Sequence, residues 1–280
     1  NETLKQTILP LICSGDMVLA VSMSEPNAGS ALTDLTTRAR LKDNQVTING
    51  TKRWCSGGGH SDAYLVYCRL SDAPGAKGIG AVFVDKGTAG LTFGEQEQLM
   101  GFRGIPDSDL YFDEVSVPAN HLVVPAGGFP KLMQAFDLER CGNATMALGQ
   151  ASGALAEALV WVQDRRQFGK PIIEFQAVQL KLAEMASKIH AARLMVYDAA
   201  EKKDVGERND LETAMAKLFA SEVCGEVVME AMRVHGGVGY TKELPIERYY
   251  RDAPLMIIGE GTNEMQRIII ARQLMDRHPV

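Results

Sequence analysis

A glutamate between two glycines, Gly259-Glu260-Gly261, stands just ahead of the last helical pattern, where a carboxylate could come close to a substrate and act as a base. Asp164 to Lys170 (Asp-Arg-Arg-Gln-Phe-Gly-Lys) gathers Arg165, Arg166 and Lys170 just past a helix end, a cationic cluster suited to a phosphate. Lys52 to Gly58 joins the broad face of Trp54 to the Ser56 hydroxyl and two glycines, and Ser24 to Ser30 is small and rigid enough for backbone to approach a ligand. Each has an ordinary explanation when taken alone. A Trp beside Gly packs, an Arg pair is solvated, and a Glu before a helix serves its dipole. Asn263, with Gln266 three residues on, fits a helix N-cap and its partner.

Other chemistries find little to work with. There is no GxGxxG opening a βαβ unit, no P-loop, no HExxH and no GxSxG. The histidines (His60, His121, His190, His235, His278) are scattered without metal-ligand spacing, so no metal site is expected. Five cysteines without a CxxC pair support neither a disulfide framework nor zinc, and point to reduced thiols in a cytosol-like compartment. A formal net charge of -6 does not draw in nucleic acid or an anionic membrane. No apolar run approaches the ~20 residues of a bilayer span.

The elements that must position these residues change period along the chain. Residues 18–122 read as β structure: Val46-Thr47-Ile48 alternates into Asn49-Gly50, a favoured hairpin pair, and short runs follow at 63–68, 81–84, 91–93 and 110–117. Such spacing predicts an antiparallel barrel-like or sandwich domain rather than βαβ units. After Pro125 to Gly128, apolar residues recur at three- and four-residue steps in four stretches, around 144–162, 178–196, 215–227 and 265–274, which predicts a helical bundle over 128–280. With 280 residues, 46% hydrophobic and 23% charged, an ordinary globular chain of the α+β multi-domain class is expected. Residues 1–17, from Asn1 through a helix over Glu2 to Ile12, read as the end of a helix whose start lies upstream, and the resemblance given below implies that this belongs to an N-terminal helical domain.

Order and spacing together carry a resemblance. Ser24-Glu25-Pro26 with Gly29-Ser30, Trp54 to Gly58, Asp137-Leu138-Glu139-Arg140, Arg165 to Gly169, His235 to Tyr240 and Glu260-Gly261-Thr262 make this sequence similar to the acyl-CoA dehydrogenase family along essentially its whole length. The resemblance implies a middle β domain followed by a C-terminal four-helix bundle, bound FAD, and oxidation of a short, branched or aromatic acyl-CoA thioester to its trans-2-enoyl form. It also implies electron transfer to an electron-transfer flavoprotein, a homotetramer, and a cytoplasmic or mitochondrial-matrix location according to the source.

The same resemblance assigns roles. Glu260 is the expected base, with Glu139 as the alternative used by another branch of the family. Ser24 and Ser56 would hydrogen-bond the isoalloxazine ring and Trp54 would pack on it. Arg165, Phe168 and Gln176 would hold the diphosphate and adenosine side from a neighbouring subunit. Gly236 and Gly237 would admit the diphosphate, and Thr262 and Glu264 fall on cofactor positions. Ser30, Asp137, Arg140 and Gly261 would meet the substrate. Two departures stand out. Gly259 replaces the Tyr common before the base, and Ile105 replaces a Ser. Rival readings are an acyl-CoA oxidase using O2, a non-catalytic relative, and a structural helical bundle.

Overall fold

The computed structural model describes residues 1–279 and divides them into two compact units. One comprises residues 1–99 and 103–133; the other comprises residues 100–102 and everything described from 134 onward.

The first unit opens with helix α1 (Glu2–Ser14), capped by the Asn1 side chain and stopped by Gly15 at φ 83°. Eight strands follow: β1 (Leu19–Ser22), β2 (Arg38–Lys42), β3 (Gln45–Ser56), β4 (Ala63–Arg69), β5 (Ile79–Asp85), β6 (Leu91–Phe93), β7 (Asp107–Pro118) and β8 (Leu122–Val124). They form one sheet in the order β6-β7-β3-β2-β4-β5-β8, with β1 also paired to β4. The α+β class holds, but the sheet stays open rather than closing as a barrel, and it is mixed rather than antiparallel. Both β1 and the start of β2 run parallel to β4. Alternation reports that a residue run is a strand; it carries no information on the direction of its partner. Val46, Ile48, Tyr64, Val66, Val84 and Leu110 fill the core.

Two irregularities in β3 matter for function. The hairpin expected at Asn49-Gly50 is instead made by Asp43 and Asn44, both left-handed (φ 49° and 62°), between β2 and β3. β3 runs on through Asn49-Gly50 along β7, with a bulge at Gly50. Gly50 has φ 145°, and a Cβ there would sit 2.6 Å from the Thr37 Cα. Asn49 meanwhile bridges to Glu114 on β7 through side chain and backbone. The second register shift, between Lys52 and Cys55, contains Trp54 at φ 57° and turns its ring outward, more than half exposed.

The second unit is helical: most of α2 (Phe129–Asp164), α3 (Gln176–Asp204), α4 (Asp210–His235), α5 (Ile246–Ile258) and α6 (Asn263–Arg277). Two-residue strands β9 (Arg166–Gln167) and β10 (Lys170–Pro171) make a small hairpin between α2 and α3. Ala144, Ala147, Ala151, Ala154 and Ala158 give α2 a flat buried face against Met185, Ile189, Val196, Val223 and Val227. The four expected helices are present, and α5 is an addition to them. Its Tyr249 hydroxyl lies where Gly153 of α2 lacks a side chain, 2.6 Å from where a Cβ would be.

Candidate active site

Glu260 occupies the turn between α5 and α6 with a left-handed backbone (φ 57°), followed by Gly261 at φ 82°. Strain of this kind persists where surroundings over-determine it. Gly259 ends α5 by donating its N–H to Leu255 O. The Gln266 side chain donates to the carbonyls of Glu260 (3.3 Å) and Gly261 (2.9 Å). The helix cap is Thr262, whose hydroxyl accepts from Met265 N; Asn263, the cap expected from sequence, is the first helical residue and wholly buried. The cap moves by one residue because the Asn263 side chain is recruited inward by Ser221, Glu222 and Lys217 of α4.

The Glu260 carboxyl has one oxygen, Oε2, buried without a hydrogen-bond partner. Burial pushes its pKa above the usual carboxylate value; the charge of Glu139 pushes the same way, while Arg140 and Lys217 pull it down. Around the same turn, Arg140 Nε, Asn143 Oδ1 and Gln266 Oε1 are also buried and unpaired. Asn143 stands 3.8 Å from where a Gly259 Cβ would be. Unsatisfied buried polar atoms are rare in folded proteins, and a group of them around one carboxyl marks a place made to receive a polar ligand. Glu139 differs: it is exposed on α2. Asp137 and Arg140, expected at the substrate, are bound to each other at 2.6 Å.

Other predicted residues of this unit are displayed at the surface. Arg165 follows α2, forms no ion pair among the described residues, and lies 6.0 Å from the Trp161 ring. Phe168 (φ 53°) is 93% exposed at the tip of the β9–β10 hairpin, and Gln176 starts α3, exposed. Gly236 ends α4 at φ 65°; a Cβ on it or on Gly237 would meet open space, whereas Gly239 is hemmed by the Met232 carbonyl at 2.7 Å. Glu264 is exposed in the first turn of α6.

In the sheet unit, Ser56 is exposed at the end of β3 and donates to Asp107 Oδ2 at 3.3 Å. Burial lifts the Asp107 carboxyl to about 6; the Ser56 hydrogen bond opposes this, Glu97 and Asp109 add to it, and Arg53 opposes it. Ser24 is half-buried and Ser30 exposed. The segment between them is held by an ion pair that sequence reading did not single out. Glu25 accepts from Lys52 Nζ (2.9 Å), Thr36 N (2.7 Å) and Thr37 N (2.9 Å), with both side chains almost fully buried. Lys52 also donates to Met23 O. The signal that could have found it was Lys52 itself, a lysine at an inward position of an alternating strand.

Comparison with known proteins bears on these arrangements. The family profile of the acyl-CoA dehydrogenase C-terminal domain matches residues 126–275, and that of the middle domain matches residues 20–115. The chain is 41% identical over 276 residues to acryloyl-CoA reductase (NADH) of Anaerotignum propionicum, covering 98% of this chain and 70% of that protein. It is 36% identical to the caffeyl-CoA reductase-Etf complex subunit CarC of Acetobacterium woodii, over 99% of this chain and 73% of that one. The structure of butyryl-CoA dehydrogenase from Megasphaera elsdenii superposes with a TM-score of 0.95 at 38% identity, covering 98% and 72% of the two chains. The chain belongs to the acyl-CoA dehydrogenase family. Acyl-CoA dehydrogenases are FAD-dependent oxidoreductases.

The residues present fit that cofactor. A dinucleotide needs cations and open backbone for its diphosphate, and flat apolar faces with a few hydroxyls for its rings. This chain displays an unpaired guanidinium at Arg165, open backbone at Gly236-Gly237, and the exposed Trp54 and Phe168 rings with Ser56 close to the first in sequence. No helix among the described residues is long and apolar enough to cross a membrane, and no cluster of His, Cys, Asp or Glu there could hold a metal ion.

Proposed function

We propose that this chain catalyses the α,β-dehydrogenation of a short, branched or aromatic acyl-CoA thioester to the trans-2-enoyl-CoA, with Glu260 as the base. The carboxyl of half-buried Glu260, with Oε2 buried and unpaired and its pKa shifted upward, carries the reading. A base poised above the ordinary carboxylate range is matched to a weak carbon acid. Glu260 takes the α-proton, and the α-C–H electron pair becomes the π bond that turns the Cα–Cβ single bond into a double bond as hydride leaves the β-carbon. FAD, when bound, supplies the acceptor for that hydride. Glu139 is exposed, and its charge raises the proton affinity of Glu260, which suits a tuning role. Gly259 leaves the approach to the carboxyl free of a bulky side chain and widens the range of acyl groups.

Ser24 and Ser56 serve the flavin ring with Trp54 against it. Arg165, Phe168, Gln176, Gly236 and Gly237 hold the diphosphate and adenosine side in a neighbouring copy, which makes the working form a homotetramer. Thr262 and Glu264 contribute further cofactor contacts, and Ser30, Asp137, Arg140 and Gly261 meet the CoA thioester. The electrons leave to an electron-transfer flavoprotein. A second reading, reduction of an enoyl-CoA by the same residues in reverse, is favoured by the similarity to two CoA-ester reductases. Anaerobic addition of saturated acyl-CoAs to the flavin-loaded protein tests the proposal: bleaching of the flavin absorbance supports it, and an unbleached flavin with every acyl-CoA sinks it.

The cofactor assignment has its own expected result. Arg165→Ala removes a charge-assisted contact worth roughly 1.5–3 kcal/mol, so FAD affinity should drop about ten- to a hundredfold. Flavin occupancy after dialysis reads this directly, and unchanged occupancy would return Arg165 to an ordinary solvated charge.

A further inference from the structure

Lys217 lies inside α4 with no solvent exposure, a costly place for an ammonium. No carboxylate pairs with it among the described residues. Its Nζ instead donates to Ile257 O at 3.2 Å and to Asn263 Oδ1 at 2.8 Å. Those two acceptors belong to the end of α5 and the start of α6, on either side of the turn that carries Glu260. Ser221, one turn further along α4, accepts from Asn263 Nδ2 at 3.0 Å, and Glu222 accepts from the same nitrogen at 3.1 Å.

We propose that Lys217 is a positioning residue for the base: its buried ammonium ties α5 to α6 across the Glu260 turn and presents a fixed positive charge toward the carboxylate. The proposal rests on Glu260 being the base. Geometry gives it two separable parts. The tether holds a left-handed, strained glutamate (φ 57°) in one orientation, so that proton transfer begins from a fixed distance. The charge opposes the two effects that lift Glu260, burial and Glu139, and acts with Arg140 to keep a working fraction ionised. The groups facing Lys217 are Glu260, Glu264 and Glu222, which favour its charge, and Arg140, which does not. Burial outweighs them and brings Lys217 down to about 8, so the cation persists at neutral pH.

Lys217→Met keeps the bulk of the stem and removes both parts. With FAD bound, the limiting rate of anaerobic bleaching should fall by about 10- to 10²-fold, the scale of a misplaced catalytic group, while acyl-CoA affinity is retained. The acid limb of the rate–pH profile should move to higher pH, because Glu260 loses an attracting charge. A difference infrared titration of its carboxyl band, referenced to Glu260→Gln, should move the same way without any turnover. Asn263→Ala cuts the tether and leaves the charge, so its rate should fall with little movement of the acid limb. An unchanged rate and an unmoved limb in folded, flavin-loaded Lys217→Met overturn the proposal. If that variant does not fold, an unchanged rate in Asn263→Ala overturns it. Glu260→Gln run alongside separates two failures. A near wild-type rate there removes the base assignment itself; a dead Glu260→Gln beside an unaffected Lys217→Met removes only the role of Lys217.

Discussion

Glu260→Gln is expected to slow anaerobic flavin bleaching by an acyl-CoA by at least ~10²–10⁴-fold, the usual cost of removing a general base. The substitution keeps the volume and the left-handed turn close to native, since Gln266 holds the carbonyls of Glu260 and Gly261 and Gly259 donates to Leu255 O, none of them using the Glu260 carboxyl. Glu139→Gln should bleach at a rate near wild type. Its loss removes a charge that raises the Glu260 pKa, so the acid limb of its profile should move to lower pH. The sign follows from which form works: the ionised carboxylate is the base, and lowering its pKa keeps it ionised further into acid. A fast Glu260→Gln beside a dead Glu139→Gln would reverse the assignment of base.

Glu25→Ala should destabilise the protein by ~3–5 kcal/mol, because it strands the Lys52 ammonium in the core of the sheet unit. The backbone N–H groups of Thr36 and Thr37 lose their acceptor at the same time. Removing both charges, as in Glu25→Leu with Lys52→Met, should recover part of the loss, since an apolar pair does not leave a buried charge unpaired. The pair also predicts acid sensitivity. Burial pulls Glu25 upward, but the Lys52 ammonium and the hydrogen bonds from Thr36 outweigh it and hold the carboxyl down at about 2, against an ordinary 4.5. A group depressed on folding contributes stability above its unfolded pKa and loses it as pH falls through the folded one. The contribution, on the order of 3 kcal/mol, is therefore present above about pH 4.5 and lost between there and about pH 2. Denaturant unfolding of wild type and Glu25→Ala across that window checks it: the two curves should converge in acid, and a constant gap would refute the linkage.

The family was legible because it depends on residue type, order and spacing. Glu260 between glycines, the Arg165 cluster and Trp54 beside Ser56 stood out locally, but each had an ordinary explanation until their order along the chain joined them. What escaped had a tertiary cause. Asn49-Gly50 favours a hairpin in isolation, but pairing along the whole of β7 outweighs the turn preference, and the glycine serves a bulge against Thr37 instead. Thr262 and Asn263 are both good caps, and the choice fell to Thr262 because the Asn263 amide is bound to α4. Helix α5 carries Pro254, which weakens a helical reading, yet its apolar side and Tyr249 dock on α2 firmly enough to keep it. The Glu25–Lys52 pair and Lys217 were passed over because a charged residue is presumed to be solvated. The inward register of Lys52 on β3 was the one sequence signal of their burial, and the folded chain shows all three sealed inside.

The open sheet leaves a last consequence, for the behaviour of the protein at high concentration. A sheet that does not close has two borders, and a long bare border offers its free amides and carbonyls to any passing chain. Here the two ends of the strand order are three-residue strands, β6 and β8. Beyond β6 the chain keeps close to β7, with Gly94 and Glu97 donating to Asp109 and Asp107. Glu95 and Glu97 add negative charge to that rim. Short margins, one of them charged, give a stray strand little to zip onto, so crowding in solution is resisted at the ends of the sheet, where an open edge would otherwise seed fibril growth.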